Sequence, residues 1–186
     1  MGFDLFCRRR HIVLAGTFLL MAGQGFLQAS EVDASQSTLN DGYSLFYDFC
    51  KQESQLSLLV WVKTMPPSIS DYAKQISTTA KDDMAILNAM GARDPSLRLD
   101  KVSLPGFEIN VRQSMADDRK QQLIWRSSGA AFAQALTMTQ SETTNYGLHV
   151  AKVLSETEPD RDRSRAIRHM YDQWLALHVE AYRLSR

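Results

Sequence analysis

Two cysteines in 186 residues are too few for a disulfide scaffold or a four-cysteine zinc site. Charge of one sign is also missing: lysine plus arginine is 21 and aspartate plus glutamate is 21, so no global basic field draws the chain onto nucleic acid. No stretch keeps up period-two alternation between hairpin turns, and no sheet is expected. Phosphate loop, dinucleotide fingerprint, haem attachment motif and His-Glu-x-x-His zinc helix are all absent. Ser127-Ser128-Gly129 lacks the frame and the strand context of a nucleophile elbow. What is present is ordinary: 44% apolar and 23% charged residues, the balance of a soluble globular chain.

The first thirty residues read as an address. Arg8-Arg9-Arg10 precede an uncharged, largely apolar run from Ile12 to Leu27, and small residues follow. This is the layout of a secretory signal peptide over 1–29, cleaved after Ala29 or, alternatively, after Ala34. The run is shorter than the ~20 residues a spanning helix needs, so no transmembrane span is expected after cleavage. The expected location is periplasmic or secreted. Residues 30–39 read as a polar N-terminal arm before a helical domain at 40–186. Cleavage leaves one cysteine, Cys50, beside Phe46, Tyr47 and Phe49. A lone cysteine in an exported chain is a buried thiol, a reactive thiol or the link of a Cys50–Cys50 dimer.

Five prolines, at Pro66-Pro67, Pro95, Pro105 and Pro159, punctuate segments rich in helix formers. The spacing predicts helices over 40–64, 69–90, 130–156 and 160–185. An amphipathic segment at 107–126 comes before the third long helix, with a break near Gly129. Ser68 and Ser70 are the expected cap region of the second helix and Gly91 its end. The short link at 65–68 makes the first two helices antiparallel neighbours. The fold class is all-α: an antiparallel four-helix bundle with an extra helical segment before the third long helix. Its seams are Phe46, Phe49, Leu56 and Val60; then Ile69, Ala73, Ile76, Ala80, Leu87 and Met90. They continue with Phe132, Leu136, Thr139, Thr143, Tyr146, Val150 and Val153, and finally Ile167, Tyr171, Trp174, His178 and Ala181. Trp61, Trp125 and Trp174 fall on or beside these stripes and read as core. Arg161, Arg163, Arg165 and Arg168 read as a solvated face with internal ion pairs; the alternative is a docking patch for an acidic partner or lipid headgroup.

Glu53 and Asp83 fall where the period expects apolar side chains, His178 lies on the last seam, and Glu142 sits at the edge of the third. Buried acids are normally paired, hydrogen-bonded or metal-bound. At ~1.5 Å per residue the four groups reach similar heights if both turns lie at one end of the bundle. That would resemble a carboxylate-bridged metal centre holding iron, manganese or zinc through Glu53, Asp83, Glu142 and His178. The competing readings are a structural Glu53–His178 bond, or acids turned to water by a one-residue shift that puts Met84 on the seam. The helical Glu-x-x-His motif of di-iron bundles is missing.

Tyr72-Ala73 opening the second helix, Gly129-x-x-Phe132 opening the third and Leu175-x-x-His178 on the last resemble the bacterial "domain of unknown function 4142" family. The resemblance covers about 40–185 and implies an exported, ferritin-like four-helix bundle. The family tends to carry histidines late in its second helix and in its third, which spacing places at Ala80 and Thr144 here. Only His178 corresponds, so the resemblance weakens the metal reading.

The leading expectation is a non-enzymatic, exported binding or envelope-associated protein with no catalytic set. The alternatives are a ferritin-like metal-binding protein or oxidoreductase, and a subunit presenting a helix face, such as 107–126, or Cys50 to a protein partner.

Overall fold

The computed structural model describes residues 36–100, 104–126 and 129–186, without the side chains of 124–126. The expected leader and both cleavage positions lie outside these residues, as does the side chain of Trp125. The chain divides into two units, 1–38 and 39–186. In the first, residues 36–38 are helical, so helix occupies the end of the segment expected as an arm. The second unit carries everything that follows.

Every regular element among the described residues is helical. In the second unit α1 runs over 39–53, α2 Leu58–Val62, α3 Pro67–Arg93, α4 Gly106–Lys120, α5 Gly129–Thr157 and α6 Arg161–Leu184. A π-helical turn, Gln121–Arg126, continues α4. Among the described residues no helix is long and apolar enough to cross a membrane.

Local chemistry explains most boundaries. Pro67 occupies the first turn of α3, where its fixed φ suits the helix and its missing N–H costs nothing. Pro66, rather than Ser68 or Ser70, is the cap residue, and no side chain caps this end. Asp160 caps α6 by accepting from the backbone N–H groups of Asp162 and Arg163 at 3.0 and 2.9 Å. Gly129, with φ +57°, marks the expected break before α5.

Two boundaries differ from the expectation. The helix expected over 40–64 is interrupted at 54–57. There Leu56 and Leu58 bond carbonyls three residues back, at 3.0 Å each, a tightened turn. Ser77 of α3 donates its hydroxyl to the Ser54 carbonyl and lies 3.0 Å from the Ser57 hydroxyl. A tertiary bond thus replaces the helix ladder. α3 runs through Gly91 to Arg93, because Gly91 serves as a close-approach point: a Cβ there would meet Leu99 at 3.2 Å.

The core joins α1, α3, α5 and α6 through Phe46, Phe49, Ile76, Leu136, Ile167 and Trp174, all buried. Phe49 meets Trp174 edge-to-face with centroids 4.6 Å apart and presses on Gly147, where a Cβ would overlap its ring. That approach sets the rotation of α5. The buried row is Leu136, Gln140, Thr144, Leu148 and Ala151, while Tyr146 and Val153 of the expected seam are exposed. Trp61, expected in the core, is 87% exposed.

One end is locked by ions that no seam contained. Glu158, whose side chain has no exposed surface, accepts from Tyr43 Oη at 2.5 Å, Arg163 Nη2 at 2.9 Å and the Asp160 N–H at 2.8 Å. Arg163 also reaches Asp94 at 2.6 Å. Burial and then the Glu158 carboxylate push the Tyr43 phenol well up. Arg163 is therefore a half-buried bridge, not part of a solvated face, whereas Arg165 pairs with Asp162 in solvent.

Candidate functional site

The seam acids are buried, but they stand in separate settings. Asp83 is 1% exposed and accepts from Trp174 Nε1 at 2.7 Å. Burial pushes its carboxyl up to about 7, against the pull of the Trp174 bond. Glu53, 7% exposed, closes α1 just before its break. Burial pushes it up to about 7 as well, and the Gln140 side chain and the Arg119 charge pull it down. The negative end of α1 also works against an anion there. Glu53 Oε2 and Gln140 Oε1 are both buried without a hydrogen-bond partner.

His178 does not pair with Glu53. Its Nδ1 lies 3.0 Å from the Ser141 carbonyl oxygen and 3.3 Å from Thr144 Oγ1. A carbonyl only accepts, so Nδ1 carries the hydrogen. Thr144 donates to the Gln140 carbonyl at 2.6 Å, and Tyr72 donates to the Leu177 carbonyl at 2.9 Å. Burial and then the nearby Glu53 charge push the Tyr72 phenol up. Cys50 is fully buried, its thiol pushed up by burial and then by Asp83 and Glu53. It is a packed thiol with no exposed surface.

Glu142 is exposed. Among the described residues no three His, Cys, Asp or Glu side chains are grouped so as to hold a metal ion. Glu53, Asp83, Glu142 and His178 are therefore not gathered into one donor set in this fold. Similar heights were insufficient because Asp83 turns to Trp174, His178 to Ser141, and Glu142 to water. The one-residue shift that would have put Met84 on the seam does not occur either.

The surface carries the second feature. No residue of α4 is buried. Its polar edge, Glu108, Arg112 and Arg119, is the partly covered one. Arg112 bonds Glu108 at 2.8 Å and Tyr146 Oη of α5 at 3.1 Å, and lies 5.4 Å from the Tyr146 ring centroid. Phe107, Val111 and Met115, spaced i, i+4 and i+8, face outward with Phe107 82% exposed. An amphipathic helix is thus attached by its charged edge with its apolar stripe in water. α2 is similar: all five residues are apolar, none is buried, and Leu58, Trp61 and Val62 are exposed. Beside it an open depression of about 350 Å³ is lined by residues 60–65 and Ser70.

Sequence reasoning had the 107–126 face as a candidate but did not identify Gln140, Arg119 or Glu158. The i, i+4 row from Phe132 through Leu136 passes through Gln140 and Thr144 and could have found the first. Comparison with family models, curated proteins and solved structures gives no match for this chain.

Proposed function

We propose that this chain is an exported, non-enzymatic four-helix-bundle protein that binds a protein partner through the outward stripe of α4. The carrying observation is the orientation of α4: its apolar residues face water while its charged edge faces α5. Soluble proteins rarely leave such a stripe uncovered without a use. Phe107, Val111 and Met115 have the spacing of anchors that an apolar groove reads from a helix. The N-terminal charge and apolar pattern supports export. Packing of α5 with α6 and of α3 with α6 supports the bundle, as do the Phe49 contacts of α1.

Photo-crosslinking in the cell envelope tests this reading. A crosslinking residue at Phe107 or Met115 is expected to give a discrete protein adduct, and one at the exposed Asp172 of α6 to give none. Equal labelling from all three positions, or none from any, would refute it.

A further inference from the structure

We infer that one end of the bundle docks on an anionic lipid surface through α2, a face separate from the α4 stripe. Three contacts assemble this end. Tyr72 of α3 donates to the Leu177 carbonyl of α6. The two helices run in opposite directions, since Asp94 after α3 meets Arg163 early in α6. Counting back at ~1.5 Å per residue, Pro67 at the start of α3 stands level with Tyr182 near the end of α6. Lys63, just past α2, lies 5.6 Å from the ring centroid of Phe132 in the first turn of α5. Thus α2, the starts of α3 and α5 and the end of α6 share one end of the fold.

The charge of that end is one-sided. Residues 54–70, 129–141 and 181–186 contain no aspartate or glutamate and carry Lys63, Arg183 and Arg186. The acids bordering these stretches in α1, α3 and α6 are buried or engaged: Glu53 is in the core, Asp71 pairs with Lys74 and Glu180 with Arg183. The opposite end holds Asp94, Glu158 and Asp160 around Arg163. A chain with no net charge is thereby polarised, with a cationic surface at the α2 end.

Apolar side chains occupy the same place. No residue of α2 is buried, and Leu58, Trp61 and Val62 are more than half exposed. The depression beside them is lined in part by Lys63, Thr64 and Ser70, a cation and two hydroxyls suited to a phosphate. Arg186 lies 4.4 Å from the ring centroid of Tyr182 at the end of α6. Exposed tryptophan, aliphatic side chains beside it and cations without acids are the composition that settles at the boundary of headgroups and acyl chains. Protein interfaces, by contrast, are depleted in lysine. Charge complementarity therefore selects an anionic lipid surface, met by insertion of α2 without a spanning helix.

Tryptophan emission of the full chain tests this on two kinds of vesicle with brominated acyl chains. One is pure phosphatidylcholine; the other includes phosphatidylglycerol. Subtracting the spectrum of Trp61→Phe isolates the signal of Trp61, because both proteins carry the same N-terminal apolar run. The substitution leaves the core intact, since Trp61 is exposed and Trp174 is untouched. On the anionic vesicles the Trp61 signal is expected to shift to the blue and to be quenched by bromine; on the neutral vesicles both effects should be much weaker. Lys63→Gln with Arg186→Gln should need roughly tenfold more anionic lipid for half-maximal quenching. A Trp61 signal that neither vesicle changes, or equal quenching on both, would overturn the inference. So would a blue shift that follows protein concentration without lipid, which would assign the face to a second copy of the chain.

Discussion

Replacing Glu158 by alanine will destabilise the protein by about 3–5 kcal/mol, roughly 10 °C in Tm for a chain of this size. The side chain has no solvent contact and serves three donors: Tyr43, Arg163 and the Asp160 N–H. Its removal leaves a half-buried guanidinium with one carboxylate, Asp94, and a buried phenol with none. Tyr43→Phe removes one hydrogen bond and should cost about 1 kcal/mol. Combined with Glu158→Ala it should add less than its own effect, because the bond is already gone. Urea unfolding of the four proteins measures the coupling; full additivity would show that Tyr43 and Glu158 act independently.

The second large effect is at Trp174. Trp174→Ala should cost about 3–5 kcal/mol from lost burial and the cavity beneath Phe49. Trp174→Phe should cost less but should acquire a pH dependence. The lost indole N–H leaves Asp83 Oδ2 without the bond that favours its ionised form. Its carboxyl then rises further above 7, and the variant should lose more stability relative to wild type at pH 8 than at pH 5. Thermal unfolding at the two pH values checks this; equal losses at both would contradict the assigned role of the Trp174–Asp83 bond.

The helices were legible where a single chemistry decides. Pro159 with Asp160, and Gly129 with its positive φ, mark their boundaries in the sequence itself. The α3 seam was legible in full, because Ile69, Ala73, Ile76, Ala80, Leu87 and Met90 are all buried. The interruption at 54–57 was not, since it lies among residues that accept helix and depends on Ser77 from another element. The rotation of α5 depends on Phe49 meeting Gly147, a contact absent from the periodicity of either helix.

The candidate site was half legible. Periodicity placed Glu53 and Asp83 inward, and both are inward. It could not assign their partners, because depth along a helix leaves open which neighbour a side chain turns to. Glu53 meets Gln140 rather than His178, and Asp83 meets Trp174. Glu158 and Arg163 fell in a turn and in a basic stretch, where sequence alone reads solvent. The outward stripe of α4 was anticipated as an amphipathic segment, but its direction was not. The pattern shows that a helix has two faces; the Arg112–Tyr146 bond shows which one is attached.

Partner binding through α4 requires its apolar stripe to face outward. Thermal unfolding of a chain carrying Phe107→Gln, Val111→Gln and Met115→Gln tests it most directly, since glutamine keeps the helix propensity and removes only the apolar stripe. If the stripe is a surface held for a partner, the Tm will stay within about 3 °C of wild type. A fall of roughly 10 °C or more would show that these residues pack into the fold and would contradict the account.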